Sequence, residues 1–84
     1  MKLQWNELKS QRLKRTRGAS FEDILESKLL SVQRHQSREN QEMMLFERAG
    51  YIWVVPFVRS AEGLFLKTLY PSRYWTRKWK ERKL

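Results

Sequence analysis

Arg73 follows a Pro71-Ser72 pair that closes one apolar stretch and opens a basic one. A helix starting there would present its N-terminus to anions, and a guanidinium adds a planar fork that grips phosphate oxygens in pairs. Arg73 is therefore the leading candidate for holding a phosphate. Lys67 lies between Leu66 and Thr68 in an otherwise apolar stretch. As a strand residue it would project from the sheet as a cation, either to stabilise a leaving oxygen or a phosphorane, or to guard an edge strand against aggregation. His35, the one histidine, carries the side chain whose ordinary pKa lies nearest neutrality, which suits a general acid or base; a solvated strand-end histidine is the plainer reading. Glu47 and Arg48 end the preceding strand, and Tyr70 and Tyr74 flank the Pro71-Ser72 turn. Each could contact a base or a phosphate, with packing or hairpin solvation as the default.

The missing motifs narrow the chemistry further. There is no Gly-rich phosphate loop, His-Glu-x-x-His, Gly-x-Ser-x-Gly or carboxylate-rich cluster, so nucleotide hydrolases, metalloproteases and esterases are not leading ideas. With no cysteine, thiolate metal sites and cysteine nucleophiles drop out, and no metal or other cofactor is expected. Phosphodiester chemistry on RNA needs least from the protein, because the 2′-hydroxyl is a built-in nucleophile. The enzyme must position the phosphate, move a proton and stabilise charge.

The elements that must position these residues follow from periodicity and punctuation. Leu3 to Trp5 reads as a short strand, and Asn6 as the N-cap of a helix running to Arg17 with a thin apolar face and Gly18 as its stop. Ser20 with Asp23 three residues on resembles a capping box for a second helix that turns Phe21, Ile24 and Leu25 inward. A period near two then predicts strands over Leu29–His35 and Glu42–Arg48, joined by the polar stretch 36–40. Ala49-Gly50 is a tight hairpin signal leading into Tyr51–Val58, which is apolar on both faces and should be central and covered on both sides. Pro56 conflicts with a central position unless a bulge or the strand end lies near it. Residues Arg59 to Gly63 form a turn, Leu64–Tyr70 the last strand, and Ser72 caps a terminal helix. On that helix Trp75 and Trp79 share one face, facing the sheet, while Arg73, Arg77 and Lys80 share the other. The order β-α-α-β-β-β-β-α with local hairpins predicts an α+β domain: an antiparallel sheet of four to five strands with two N-terminal helices and one C-terminal helix packed on it.

Eighty-four residues with 40% apolar and 13% aromatic content fit one small folded domain over residues 1–84. The longest apolar run, Tyr51 to Val58, is far below the ~20 residues of a membrane span, so a soluble cytoplasmic protein without a membrane partner is expected. The net charge of +9 points to a polyanionic partner, with an acidic protein or an anionic membrane surface left open by charge alone. That charge sits at the ends: residues 1–18 hold six basic residues and one acid, residues 67–84 hold seven and one, and the middle is slightly acidic. The tryptophans, Tyr51, Phe57 and Phe65 could stack on bases, although most must build the core.

Several stretches carry a family resemblance: Trp5-Asn6-x-x-Lys9, then Gly18-Ala19-Ser20-Phe21-Glu22, then a run of strands, then Lys67-Thr68-Leu69-Tyr70-Pro71-Ser72-Arg73 before a basic helix. In this order they resemble the BrnT-type toxins of the RelE/ParE superfamily. The resemblance implies a RelE/BrnT-like fold and a toxin of a type II toxin–antitoxin system, an mRNA-cleaving endoribonuclease working with or without the ribosome. It also implies a cognate antitoxin, acidic or with an acidic segment, that covers the basic surface. Arg73 matches the family's arginine near the start of the C-terminal helix. Thr16-Arg17-Gly18 departs from the family's usual Lys-His-Gly, and the expected C-terminal tyrosine is absent. Arg73, Lys67 and His35 are thus the catalytic candidates, and Arg48, Tyr70, Tyr74, Arg77 and Lys80 the RNA-binding ones. A non-catalytic nucleic-acid-binding module is the alternative. A pure interaction protein, or a relative acting on another target such as a topoisomerase, is the third reading.

Overall fold

The computed structural model describes residues 2–34 and 41–84. Its elements are β1 (Lys2–Gln4), α1 (Glu7–Arg17), α2 (Phe21–Leu25), β2 (Lys28–Arg34), β3 (Glu42–Arg48), β4 (Tyr51–Ser60), β5 (Gly63–Leu66), β6 (Tyr70–Pro71) and α3 (Arg73–Lys80). The caps sit where the sequence places them. Asn6 Oδ1 accepts the Lys9 N–H at 3.0 Å, and Gly18 ends α1 at φ +87°, where its N–H reaches the Lys14 carbonyl. The Ser20–Asp23 capping box closes in both directions at 3.1 and 3.0 Å. Lys14 Nζ adds a 2.6 Å contact to the Asp23 carboxylate. That contact, more than the Ser20 N–H, lowers the Asp23 pKa to about 2.

Strands β2 to β5 form the expected antiparallel meander, closed between β3 and β4 by Ala49 and Gly50, both at positive φ as a type I′ turn requires. The sheet as a whole is mixed, which corrects the purely antiparallel expectation. Its order is β1-β5-β4-β3-β2, and the edge strand β1 runs parallel to β5 in the register Lys2↔Gly63, Leu3↔Leu64, Gln4↔Phe65. Hairpin signals report only neighbours in sequence, whereas this pairing joins residues some sixty positions apart. Gly63 makes it feasible: at φ +140°, a Cβ there would collide with the Lys2 backbone carbonyl.

Pro56 acts on its neighbour and not on its own strand. β4 runs through it to Ser60 with regular pairing to β3, Met43↔Pro56 included. On the other side the Lys67 N–H donates to the Pro56 carbonyl at 2.9 Å. Proline has no N–H to return, so that ladder stops, and residues 67–69 leave the sheet before the chain rejoins β4 as β6, with Trp53↔Pro71 and Val54↔Tyr70. The single strand predicted over Leu64–Tyr70 is therefore two strands with a break. Arg17 braces the break by donating to the Leu69 carbonyl at 2.5 Å.

Alternation along β3 and β4 divides the core. Met44, Phe46, Trp53, Val55 and Phe57 face α1 and α2 and pack with Leu13, Phe21 and Ile24. Met43, Leu45, Ile52 and Val54 face α3 and receive Trp75 and Trp79. Two covered faces are what the unbroken apolar run of β4 demands. α3 spans only part of its face.

Candidate functional site

The start of α3 is tied to β4 by one serine and one threonine. The Ser72 N–H donates to the Ile52 carbonyl at 2.9 Å, the next rung after β6. Ser72 Oγ accepts the Trp75 N–H at 3.1 Å as N-cap. The reciprocal rung, from the Ile52 N–H, is bridged by a buried hydroxyl: Thr76 Oγ1 accepts it at 2.8 Å and donates to the Ser72 carbonyl at 2.6 Å. With Trp75 and Trp79 packed on the sheet, the first turn of α3 is held on both sides, and the opposite face is presented to solvent.

That outer face carries Arg73, Arg77 and Lys80, spaced as successive helical turns. They line an open cleft of about 330 Å³ together with Tyr51, Thr76 and Glu81. Three cations stand there with one carboxylate, and Glu81 lies 3.8 Å from Lys83. A phosphodiester suits this arrangement: two guanidinium forks for the non-bridging oxygens, an ammonium for a leaving oxygen, and a carboxylate and a phenol for proton movement.

The other predicted site residues are placed as follows. Arg48 is the cross-strand partner of Tyr51 at the β3–β4 hairpin and is not among the residues that line this cleft. Glu47 accepts the Gly50 N–H at 2.8 Å and is committed to the hairpin. Tyr74 lies on another stripe of α3, edge-on to Trp75 at 5.2 Å with the Lys78 ammonium 5.5 Å from its ring centre. Lys67 and Tyr70 line a second cleft, about 360 Å³, at the β5–β6 break with Lys9, Gln41, Glu42 and Pro56. Glu42 is held there by a two-pronged contact from Arg59 at 2.6 and 3.2 Å, which lowers its pKa. Arg73 and Lys67 thus line different clefts. His35 lies outside the described residues.

The sequence offers Tyr51 only as a possible base-stacking ring and gives no place in the first cleft to Tyr51, Thr76 or Glu81, nor to Lys9 in the second. Glu81 follows Arg77 by four positions, so carrying the helical stripe one step further would have found it. Tyr51 and Lys9 had no such local signal.

This is an α+β fold with a mixed sheet, two short helices on one face and a basic C-terminal helix on the other. No family model matches the sequence, and no curated protein matches it. Among solved structures it is similar to the Brucella abortus ribonuclease toxin BrnT, with a TM-score of 0.55 and 23% identity over 86% of this chain and 96% of that one. At that identity the likeness shows the fold, and it is the BrnT-like fold that the sequence resemblance implied.

Proposed function

We propose that this chain is the toxin of a type II toxin–antitoxin pair: a cytoplasmic, single-domain endoribonuclease that cleaves mRNA without a metal and is neutralised by an antitoxin with an acidic segment. The observation that carries this reading is the stripe of Arg73, Arg77 and Lys80 over a cleft, on a fold shared with a ribonuclease toxin. Among the described residues no three His, Asp or Glu side chains gather as metal ligands, and no helix is long and apolar enough to cross a membrane.

In this mechanism the 2′-oxygen of one nucleotide attacks its own 3′-phosphate as Glu81 takes the hydroxyl proton. Arg73 grips the non-bridging oxygens as charge builds on the phosphorane, and Arg77 supports it. The 5′-oxygen of the next nucleotide leaves with a proton from Tyr51 or Lys80, giving a 2′,3′-cyclic phosphate and a 5′-hydroxyl. Lys67 and Tyr70, in the second cleft, contact the strand away from the cut. His35 retains its proposed acid–base role on residue type alone.

The test is incubation of the purified chain with a defined single-stranded RNA in excess EDTA, with the product ends analysed. Discrete cuts with cyclic or 3′-phosphate ends, lost in Arg73→Ala at unchanged melting temperature, are expected. RNA that is shifted but intact, with and without ribosomes, would make the chain a non-catalytic binder and end the enzymatic reading.

A further inference from the structure

α3 covers Met43, Leu45, Ile52 and Val54, and among the described residues no other element covers the rest of that sheet face. Side-chain alternation from Val54 puts Pro56 and Val58 on that same face. Across the β4–β5 ladder, Phe65 stands opposite Val58, and Lys67 projects two residues further along. Tyr70, opposite Val54, borders the patch on the helix side. The two rings are well exposed for aromatics in so small a chain, Phe65 at 40% and Tyr70 at 38%. Neither pairs with another aromatic ring among the described residues.

Charge selects the occupant. Lys67 lines the cleft at this face and makes no ion pair among the described residues, while Lys9 reaches the same cleft from α1, on the opposite face of the sheet. Among the described residues the one carboxylate lining that cleft, Glu42, is already held by Arg59. Half-exposed rings beside an unpaired cation match a strand of unpaired nucleotides, which offers flat faces for stacking and phosphates for the ammonium. The patch also continues toward the first cleft. Tyr70 is three residues before Arg73, and three residues span at most about 10 Å, on the order of one to two nucleotides.

We infer that this open half-face, with Phe65 and Tyr70 as stacking surfaces and Lys67 as a phosphate contact, is a platform for single-stranded RNA running into the Arg73 cleft. The inference rests on RNA being the ligand of the proposed function, but its test reads binding and not cleavage. A 2′-O-methyl oligonucleotide, which has no nucleophilic hydroxyl, is titrated with the full chain, in parallel with a strand carrying abasic sites and with the matching duplex. Intact single strand should bind about tenfold or more tightly than the abasic strand, since base–aromatic stacking contributes at this scale. Phe65→Ala should remove most of that advantage and Phe65→Trp should restore it, with abasic binding unchanged in both. Lys67→Ala should weaken both strands alike and flatten the salt dependence.

Equal affinity for intact and abasic strands overturns the platform, and that comparison needs no variant to fold. So does a Phe65→Ala protein with unchanged melting temperature and undiminished preference for bases. An acidic peptide that competes for binding through Phe65 while RNA does not would make the patch a protein-docking face instead. If RNA is bound through Phe65 but never cut, the platform stands and the enzymatic reading fails. If RNA is cut but the bases make no difference, the reverse holds.

Discussion

Arg73 differs from its neighbours on α3 in being held at the first turn, where Ser72 and Thr76 tie the backbone to Ile52. A charge-stabilising group must already be in place when the phosphorane forms, so such anchoring is worth more than another mobile cation. Arg73→Ala should lower the cleavage rate by about 100-fold or more at unchanged melting temperature. Arg73→Lys should recover only part of it, because a point charge lacks the paired N–H fork. Single-turnover cleavage of a fluorescent RNA measures both. Glu81→Gln should cut the rate without weakening binding, and a variant that cleaves at the wild-type rate would strike Glu81 from the mechanism. The residue types and their helical spacing were legible here for Arg73, Arg77 and Lys80. Tyr51 was not, because it reaches the cleft from a strand far away in sequence.

Among the elements, α2 is the shortest helix, and its five residues depend on their cap. Ser20→Ala should destabilise the fold by about 1 kcal/mol, read as a lower denaturant midpoint. Its partner Asp23 has a folded-state pKa of about 2 against an ordinary 3.8, so its contribution is fully present above about pH 4 and fades as pH falls toward 2. Asp23→Asn should flatten the stability profile in that window. At the other edge of the sheet, Gly63→Ala should break the β1–β5 pairing, because the added methyl meets the Lys2 carbonyl. Amide exchange of Leu3 and Gln4 would rise while β3 stayed protected. Capping and hairpin signals placed these elements well, since caps and two-residue turns are local. The sequence could flag Pro56 as a problem, yet its effect fell on the partner strand, where the missing donor ended the ladder at Lys67.

Over the whole molecule, a net charge of +9 makes nucleic-acid binding salt-dependent. The logarithm of the binding constant should fall linearly with the logarithm of salt concentration, by about 0.7 for each phosphate contacted on a single strand. Lys67→Ala should reduce that slope by roughly one such contact. A slope unchanged in the variant would remove Lys67 from the RNA surface. Composition, the basic ends, the caps, the two-faced β4 and the arginine stripe of α3 could all be read along the chain, because each arises from local spacing or summed charge. The parallel β1–β5 edge, the break at residues 67–69, the separation of Lys67 from Arg73 and the bare half-face beside α3 could not. Each depends on which distant segments meet across the sheet, and periodicity within one segment carries no record of its partner.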